Sequence, residues 1–500
     1  MRTRTINLCV VIVMALMAAV GSAGDQPGGM KPPTELAGLP ERWKAAMTDL
    51  GVPGMAVVVV RGDEVVYLDT FGARDPERGL PVTPDTMFYI ASCTKSFTAM
   101  GVMSLAEEGK LSVGDPVRKC LPRFELADRD ATNSITIEDL LSHRKGLESD
   151  PIVTLDAFTG QITEDRFYYW LATVEPLGSF KYTNLHYTLA GRVIEALAGT
   201  SWKDFLDERI FIPARMTRTT AYASRMYSDA DCAVPCVKEG DKIVPAPVQK
   251  TDRVMHAAGG MGTTVRDLGQ WLRLNLNGGV VDGVRVLSAE GIERMQTLHA
   301  KADGRGRGIP NRTDLGYGLG WAIGELGGRR YVDHGGGYIG TSASISMMPD
   351  ARLGVAVLAN AGVPVSELVA MDVYDRMLKL ELRDILPDLK GVARRRQGRV
   401  AKHGPSLSEG GALSAPPAAY AGVYDEPHWG TVELRLENGH FVTALGDLPF
   451  DLRANGTDAF VAVDPTGART NGTFEIAKGQ VSAILLELAE DGEYVRFPRR

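Results

Sequence analysis

The sequence predicts two domains of different class: a large domain that mixes α-helices with β-strands, followed by a small all-β domain. Its 500 residues, 44% hydrophobic and 23% charged, are enough for more than one globular core. Between residues 35 and 388, stretches with helical spacing alternate with short apolar runs typical of strands. Residues 389–417 have the arginine-rich and then Gly/Ser/Ala/Pro-rich composition of a linker. Residues 418–500 alternate in short strands separated by turn dipeptides.

The first 23 residues have the pattern of a secretory signal peptide. Arg2 and Arg4 precede an apolar run from Leu8 to Val20, and Gly21-Ser22-Ala23 supplies the small residues of a cleavage site. The run is shorter than the ~20 apolar residues of a transmembrane helix. No later segment is apolar enough to span a bilayer. We therefore expect an exported protein, periplasmic or secreted, that is cleaved near Ala23 and begins with a flexible lead-in over residues 24–34.

Charge and cysteine content exclude several classes of partner. Loss of the two arginines with the leader takes the formal net charge from −7 to about −9, which argues against nucleic acid and anionic membranes as partners. Cys232 and Cys236 are close enough for a small disulfide in an oxidising compartment, and two unpaired thiols are an equal alternative. No histidine or second cysteine pair lies near them in sequence, so we expect no metal site and no cofactor.

The large domain is predicted to open with a helix over residues 35–50 and a hairpin of two strands, 55–60 and 65–71. Gly109 follows the next helix as its C-terminal cap. The remaining predicted elements are helices over 92–108, 135–141, 189–197, 263–276 and 366–382 and strands over 320–323, 330–334, 342–347 and 354–358.

The small domain is predicted to be a sandwich or barrel, because turn signals recur at short intervals along it. The predicted turns are Asn438-Gly439, Asn455-Gly456, Pro465-Thr466-Gly467, Asn471-Gly472 and Asp491-Gly492.

A serine and a lysine lie three residues apart at the start of the predicted helix 92–108. Residues i and i+3 share one helical face, so the Lys95 amine is expected beside the Ser92 hydroxyl. A lysine kept neutral by burial can remove the proton from a serine that acts as a nucleophile. Ser142 and Lys145 have the same spacing, but Lys145 directly precedes Gly146 and is typical of a solvated helix end. The apolar neighbours of Lys95 favour Ser92 and Lys95 as the reactive pair, and the hypothesis is a serine hydrolase.

Two further motifs give the chain a resemblance to a known family. Ser92-x-x-Lys95, Tyr182-x-Asn184 and His334-Gly335-Gly336, in this order, resemble the three signature motifs of the penicillin-recognising serine hydrolases. The Tyr-x-Asn form is similar to class C β-lactamases and their relatives, which include D,D-carboxypeptidases, D-aminopeptidases and esterases. The likeness covers residues 40–385, and framework segments that share it are Gly51–Gly54, Ile135–His143, Gly259–Thr263 and Tyr317–Trp321.

The resemblance implies a fold and a role for each motif residue. The fold would be an α/β (α+β) β-lactamase/transpeptidase-like domain, an antiparallel sheet flanked by helices with an all-helical subdomain. The small C-terminal domain is similar to a lipocalin-like β domain. The implied catalytic residues are Ser92 as nucleophile, Lys95 as base and Tyr182 as proton relay; the implied substrate-binding residues are Asn184, His334, Gly335 and Gly336, and the N–H groups of Ser92 and Gly337 would form the oxyanion hole.

The third motif departs from the Lys-Thr-Gly of typical class C β-lactamases. A histidine, with a reference pKa of ~6.5, does not supply the permanent positive charge of a lysine, and no threonine follows His334. The resemblance therefore implies an acyl-Ser92 hydrolase of a peptide, amide, ester or β-lactam carbonyl, nearest to D,D-peptidases, D-aminopeptidases or esterases. The alternative is a weakly hydrolytic penicillin-binding or cell-wall sensor protein on the same scaffold. The expected partner is a small-molecule or peptide substrate, and no motif fixes an oligomeric state.

Overall fold

A computed structural model describes residues 29–302, 311–391, 412–465, 467–488 and 493–500. The predicted signal peptide, part of the lead-in, most of the linker and the predicted turn at Asp491-Gly492 lie outside these residues. The α-helices are α1 (Leu39–Leu50), α2 (Thr94–Glu107), α3 (Val117–Cys120), α4 (Arg129–Ser134), α5 (Ile137–Ser142), α6 (Asp150–Thr154), α7 (Glu164–Leu171), α8 (Asn184–Ala198), α9 (Trp202–Leu206), α10 (Ala223–Ser228), α11 (Val265–Leu276), α12 (Ala289–Met295) and α13 (Val365–Met377).

The strands fall into one large sheet, one C-terminal sheet and three short pairs. In chain order they are β1 (Gly54–Arg61), β2 (Glu64–Asp75), β3 (Leu80–Pro81), β4 (Met87–Tyr89), β5 (Cys236–Glu239), β6 (Lys242–Pro245), β7 (Gly262–Thr264), β8 (Val280–Val281), β9 (Val284–Arg285), β10 (Ala300–Lys301), β11 (Arg312–Tyr317), β12 (Ala322–Leu326), β13 (Arg329–Tyr338), β14 (Thr341–Met348), β15 (Leu353–Ala359), β16 (Gly422–Glu426), β17 (Gly430–Glu437), β18 (His440–Leu445), β19 (Leu448–Ala454), β20 (Ala459–Val463), β21 (Arg469–Ala477), β22 (Gln480–Glu487) and β23 (Tyr494–Pro498).

The large domain is built on a nine-stranded antiparallel sheet with helices on both faces. Its strand order is β10-β11-β12-β13-β14-β15-β1-β2-β3, so the N-terminal hairpin joins the later strands through β1 and β15. β1 is apolar at successive positions because both of its faces are covered. Val57 and Val59 pack towards α1 and α13, whereas Val58 and Val60 pack into the larger core that includes α2, α8 and α11. The predicted class, an antiparallel sheet flanked by helices, is confirmed.

Most predicted elements are present, and several of them differ in extent; α8 and β13, for example, are longer than the predicted 189–197 and 330–334. The helix predicted over 35–50 is divided by Gly38, which has a φ of 79°, into a 3₁₀ turn and α1. The helix predicted to reach residue 382 ends at Met377. Residues 386–391 are helical, so the first three positions of the predicted linker lie in a helix.

The C-terminal sheet is a nearly closed barrel of eight strands that pair in chain order, β16 to β23. A bridge between Tyr424 and Arg499 and a hydrogen bond from the Arg500 N–H to the Val423 carbonyl (2.9 Å) bring its first and last strands together. The predicted turn at Asn471-Gly472 is wrong, because β21 runs straight through it and pairs on both sides. Aromatic side chains fill much of the barrel interior: Tyr420, Tyr424, Phe441, Phe460, Phe474 and Phe497.

Within the described residues, no helix is long and apolar enough to cross a membrane, and no group of three or more His, Cys, Asp or Glu side chains is arranged to hold a metal ion. Cys93, Cys120, Cys232 and Cys236 are free thiols. Of the two alternatives for Cys232 and Cys236, the structure therefore contains the unpaired thiols.

Candidate active site

Ser92 lies in a single 3₁₀ turn, Ala91–Cys93, directly before α2, and Lys95 lies in the first turn of that helix. The Lys95 Nζ is 3.3 Å from the Ser92 Oγ, as the spacing predicts. The chain enters the turn through Ala91 with a φ of 45°, a backbone conformation that residues with a Cβ adopt only at a cost. Ser92 is partly exposed at the surface of a cavity, while the lysine is behind it.

Lys95 is fully buried, and this burial lowers its pKa to about 7. Its Nζ is 2.8 Å from the Asn184 Oδ1 and 2.8 Å from the Ala258 carbonyl oxygen. Both of these oxygens can only accept hydrogen bonds, so they take both N–H groups of a neutral amine. The lone pair that remains faces the third neighbour, the Ser92 hydroxyl. This arrangement can remove a proton from the serine.

The edge of β13 beside Ser92 is open. β12 pairs with β13 only as far as Asp333, so residues 334–338 have no β-strand neighbour on that side within the described chain. A Cβ on Gly336 would lie 2.0 Å from the Ile90 carbonyl oxygen, so only glycine lets the strand approach the Ser92 turn so closely. The Cys93 Sγ, 3.2 Å from the His334 carbonyl oxygen, fastens the turn to the same strand.

A cavity of about 650 Å³ extends along this edge. Six of the predicted site residues line it, and the other two, Lys95 and Asn184, lie directly behind Ser92. The six lining residues are Ser92, Tyr182, His334, Gly335, Gly336 and Gly337. The structure thus brings all of the predicted residues together from three distant parts of the chain.

Tyr182 and Asn184 are placed by the start of α8. The Thr183 hydroxyl caps this helix by accepting a hydrogen bond from the Leu185 N–H (3.2 Å). The Tyr182 ring is 40% exposed at the cavity, and the Lys95 Nζ lies 4.8 Å from its centroid. The protonated form of Lys95 can thus make a cation–π contact with the Tyr182 ring.

His334 is buried, and both of its ring nitrogens have partners within the protein. The Nδ1 lies 2.8 Å from the Gly335 carbonyl oxygen, which can only accept, so the Nδ1 carries a proton. In the neutral ring the Nε2 is then an acceptor, and the Tyr317 hydroxyl donates to it (2.8 Å). His334 therefore fixes Tyr317 against the strand edge.

A pair of histidines, His143 and His186, lies beneath Tyr182. The Nδ1 atoms of His143 and His186 are 2.7 Å apart, and the His186 Nε2 donates to the Lys145 carbonyl (3.0 Å). Neutral His186 must then accept at its Nδ1 from the His143 Nδ1–H, which leaves an unprotonated Nε2 on His143. Burial holds the pKa of His143 well below its usual range and lowers that of His186 to about 4. The uncharged His143 ring packs 4.7 Å from the Tyr182 ring.

Sequence reasoning misses the roles of Tyr317, His143 and His186 in this geometry. In the sequence, Tyr317 and His143 each belong to a framework segment, and no pattern singles out His186. His143 has a φ of 57° and ends α5 as its left-handed cap, a position at which a glycine or asparagine is more usual. A histidine at such a position is the available signal.

Comparisons with known proteins agree with the geometry. The sequence profile of the family described as Beta-lactamase matches residues 40–376. Penicillin-binding protein 4 of Amycolatopsis lactamdurans is 30% identical over 360 residues, which are 70% of this chain and 90% of that protein. Protein flp of Staphylococcus aureus (strain MW2) is 26% identical over 319 residues, 62% of this chain and 60% of that protein.

Two solved structures share the fold. An octameric penicillin-binding protein homologue from Pyrococcus abyssi aligns with a TM-score of 0.60 at 24% identity, covering 92% of this chain and 98% of its own. A D-stereospecific amidohydrolase from Streptomyces sp. aligns with a TM-score of 0.53 at 24% identity, covering 68% of this chain and 98% of its own.

Proposed function

Because this chain belongs to the β-lactamase family of serine hydrolases, we propose that it is an exported enzyme that works through an acyl-Ser92 intermediate. Its substrate would be a D-amino-acid peptide, a small amide or an ester. The observation that carries the proposal is the environment of Lys95, which directs the lone pair of a buried neutral amine towards the Ser92 hydroxyl. We propose further that export follows cleavage near Ala23, which N-terminal sequencing of the exported protein would test by finding Gly24 first.

In the acylation step, the Ser92 Oγ attacks the carbonyl carbon of the substrate while its proton passes to the Lys95 Nζ. The charge that develops on the carbonyl oxygen would be met by the N–H groups of Ser92 and Gly337. Ser92 supports this role because it precedes the N-terminus of α2, where backbone N–H groups have no partner inside the helix.

Collapse of the tetrahedral intermediate breaks the bond to the leaving group, which needs a proton. Tyr182 would relay this proton from Lys95. The position of its ring, at the cavity with its centroid 4.8 Å from the Lys95 Nζ, supports this role. The Oδ1 of Asn184 faces Lys95, so its amide N–H₂ is the end that can donate to a substrate carbonyl. Attack of water on the acyl-Ser92 ester, with Lys95 again as the base, would complete turnover.

His334 has a different role in this proposal from that of a cationic carboxylate anchor. Its two ring nitrogens already bond Gly335 and Tyr317. We infer that it forms a wall of the cavity with its ring nitrogens engaged inside the protein, and that it fixes the strand edge along which the substrate lies. This favours peptide, amide or ester substrates over those β-lactams that depend on a positive charge at the third motif.

A substrate panel beside Ser92→Ala tests the proposal. The panel contains nitrocefin, a D-Ala-D-Ala peptide, a D-aminoacyl anilide and short-chain p-nitrophenyl esters. We expect hydrolysis of at least one of the last three and none in the variant. Hydrolysis that persists in Ser92→Ala would refute the assignment of Ser92.

The second candidate is a penicillin-binding or sensor protein that is acylated but turns over poorly. It is favoured by the altered third motif and by the name of the 30% identical relative, a penicillin-binding protein. A mass shift on Ser92 with penicillin, without turnover of any panel substrate, would select this candidate. Rapid deacylation would eliminate it.

A further inference from the structure

The C-terminal barrel is fastened to the large domain through two of its turns. The turn between β16 and β17 binds the region of α7. There, the side-chain amide of Gln161 bonds the backbone of Thr431 twice, at 3.0 and 2.8 Å, and the Trp170 Nε1 donates to the His428 carbonyl (3.0 Å). The His428 ring is stacked on that of Tyr169, with centroids 3.4 Å apart. His428 thus belongs to an interface between the two domains.

The second turn, Gly446-Asp447 between β18 and β19, contacts two segments of the large domain at once. The Asp447 N–H donates to the Thr159 carbonyl (2.8 Å). The Asp447 carboxylate accepts from the Thr251 hydroxyl (2.5 Å) and pairs with Arg253. A Cβ on Gly446 would lie 2.1 Å from the Thr159 oxygen, and the φ there is 59°, so this turn is shaped to fit its contact.

We call the two contacted stretches the first wall segment, residues 155–161, and the second wall segment, residues 250–258. They also meet each other: the Lys250 Nζ donates to the Ala157 carbonyl (2.5 Å) and lies 5.0 Å from the Phe158 ring centroid. The same Nζ is 4.2 Å from the ring centroid of Tyr338, which directly follows Gly337 on the open strand edge. Burial of this contact lowers the pKa of Lys250 to about 7.

The second wall segment continues from this contact to the base itself. Its Ala258 carbonyl accepts from the Lys95 Nζ (2.8 Å), and the preceding Ala257 carbonyl accepts from the Thr98 hydroxyl of α2 (2.7 Å). Asp447 of the barrel therefore binds one end of the second wall segment, at Thr251 and Arg253, and the other end of that segment bonds Lys95 through the Ala258 carbonyl. A second residue of the barrel, Asp464, influences the same edge of β13. Burial raises the pKa of Tyr338 to about 12, and the negative charge of Asp464 contributes to this rise.

We propose that Asp447 is a positioning residue of the active site. By tying the two wall segments together, it keeps Lys250 against Tyr338, which follows Gly337 on the open edge of β13. Through the second wall segment, it also keeps the Ala258 carbonyl in contact with Lys95. The inference rests on the proposed function, because it assigns a barrel residue to the same site. The C-terminal domain thereby holds the wall of the active site in place.

Full-length Asp447→Ala and Asp447→Asn test this proposal. Loss of charge-assisted hydrogen bonds is expected to lower kcat/KM about tenfold in Asp447→Ala. Loosening of the second wall segment lets water reach Lys95, so the acid limb of the pH profile moves up from about 7. Both variants keep the backbone N–H bond to Thr159. Asp447→Asn also keeps a side-chain acceptor for the Thr251 hydroxyl, and it is expected to recover most of the activity.

The matched control is Glu475→Ala. Glu475 forms an ion pair with Arg496 within the barrel, so its loss weakens the barrel without touching the wall segments. We expect an unchanged pH profile and unchanged kcat/KM in this variant. An equal loss of activity in both variants would overturn the proposal, because general destabilisation of the barrel would explain it.

Amide hydrogen exchange separates this inference from the proposed function. In Asp447→Ala, peptides that cover residues 155–161 and 250–258 are expected to exchange faster than in the wild type, whether or not a substrate is known. Unchanged exchange with unchanged kinetics would overturn the inference and leave the proposed function intact. A wild-type protein that neither hydrolyses the panel nor is labelled at Ser92 would overturn both.

Discussion

The chain contains two serine–lysine pairs with the same spacing, Ser92 with Lys95 and Ser142 with Lys145, and each pair lies at a helix end. Ser92 precedes the N-terminus of α2, and Ser142 is the last residue of α5. The Lys95 side chain is fully buried, whereas that of Lys145 is 38% exposed and lies 3.7 Å from an oxygen of Asp139.

The opposite helix ends explain why only one pair is suited to catalysis. At the start of a helix the free backbone groups are N–H donors, which can stabilise an oxyanion. At the end of a helix they are carbonyl acceptors, which cannot stabilise an oxyanion. The Ser142 hydroxyl also donates back to the carbonyl oxygen of Glu138, four residues earlier in α5, at 2.6 Å. The Ser-x-x-Lys spacing that the two pairs share therefore determines only that each serine lies close to its lysine. Polarity of the helix end and burial of the lysine decide the chemistry.

The largest difference in activity is expected between variants of the two serines. Ser92→Ala removes the nucleophile and is expected to lower kcat/KM for a p-nitrophenyl ester by at least ~10³-fold. Ser142→Ala loses one hydrogen bond, so we expect a stability loss of about 1 kcal/mol and little change in turnover. Stopped-assay kinetics and urea unfolding of the two variants check this. A large loss of activity in Ser142→Ala would break the comparison.

A nearly equal difference in activity is expected between variants of the two lysines. Lys95→Met keeps the buried volume but removes the base, and we expect kcat to fall ~10²–10⁴-fold. Lys145→Met changes a half-exposed side chain and should leave kcat within about twofold. Covalent labelling by a fluorescent penicillin, followed over time, gives the acylation rates. Equal rates in the two variants would exclude Lys95 as the base.

The pH dependence of kcat/KM tests whether burial of Lys95 makes it the catalytic base. Because Lys95 must be neutral to accept a proton and burial lowers its pKa to about 7, kcat/KM of the wild type should fall as the pH drops below this value. The expected slope is about tenfold per pH unit. Lys250 has a similarly lowered pKa of about 7, so Lys250→Met is the control. If the acid limb vanishes in this variant, Lys250 and not Lys95 produces it.

The smallest effect on activity is expected at the cap of α5. Thr136 and Asp139 form a reciprocal capping box there. Thr136→Ala should lower the free energy of unfolding by about 1 kcal/mol and leave kcat/KM unchanged. Thr183→Ala, at the equivalent cap of α8, should lower kcat/KM as well, since that cap places Tyr182 and Asn184. Parallel melting curves and kinetics on the two variants measure the contrast.

The sequence predicted helices and strands well where the spacing of apolar residues follows the buried face of the element. It failed where a glycine serves close packing instead of a turn. The Asn471-Gly472 pair has the composition of a turn, yet Gly472 lies within β21. A Cβ there would lie 2.3 Å from the Phe460 ring, so the glycine makes room for an aromatic ring of the neighbouring strand. Composition alone does not distinguish a glycine used for a turn from one used for close packing.

For the site, the sequence by itself determined that Ser92 and Lys95 share a helical face, because that relation depends only on the helical repeat. The ordered motifs around Tyr182 and His334 identified the family. Only the tertiary structure decided that Lys95 is fully buried beside two acceptor oxygens and that His334 is held by Tyr317 and Gly335. It also decided that Asp447 of the barrel reaches the wall of the site. Except for the contact between His334 and Gly335, these contacts join residues that are separated in the chain, and burial and proton placement depend on such contacts rather than on local spacing.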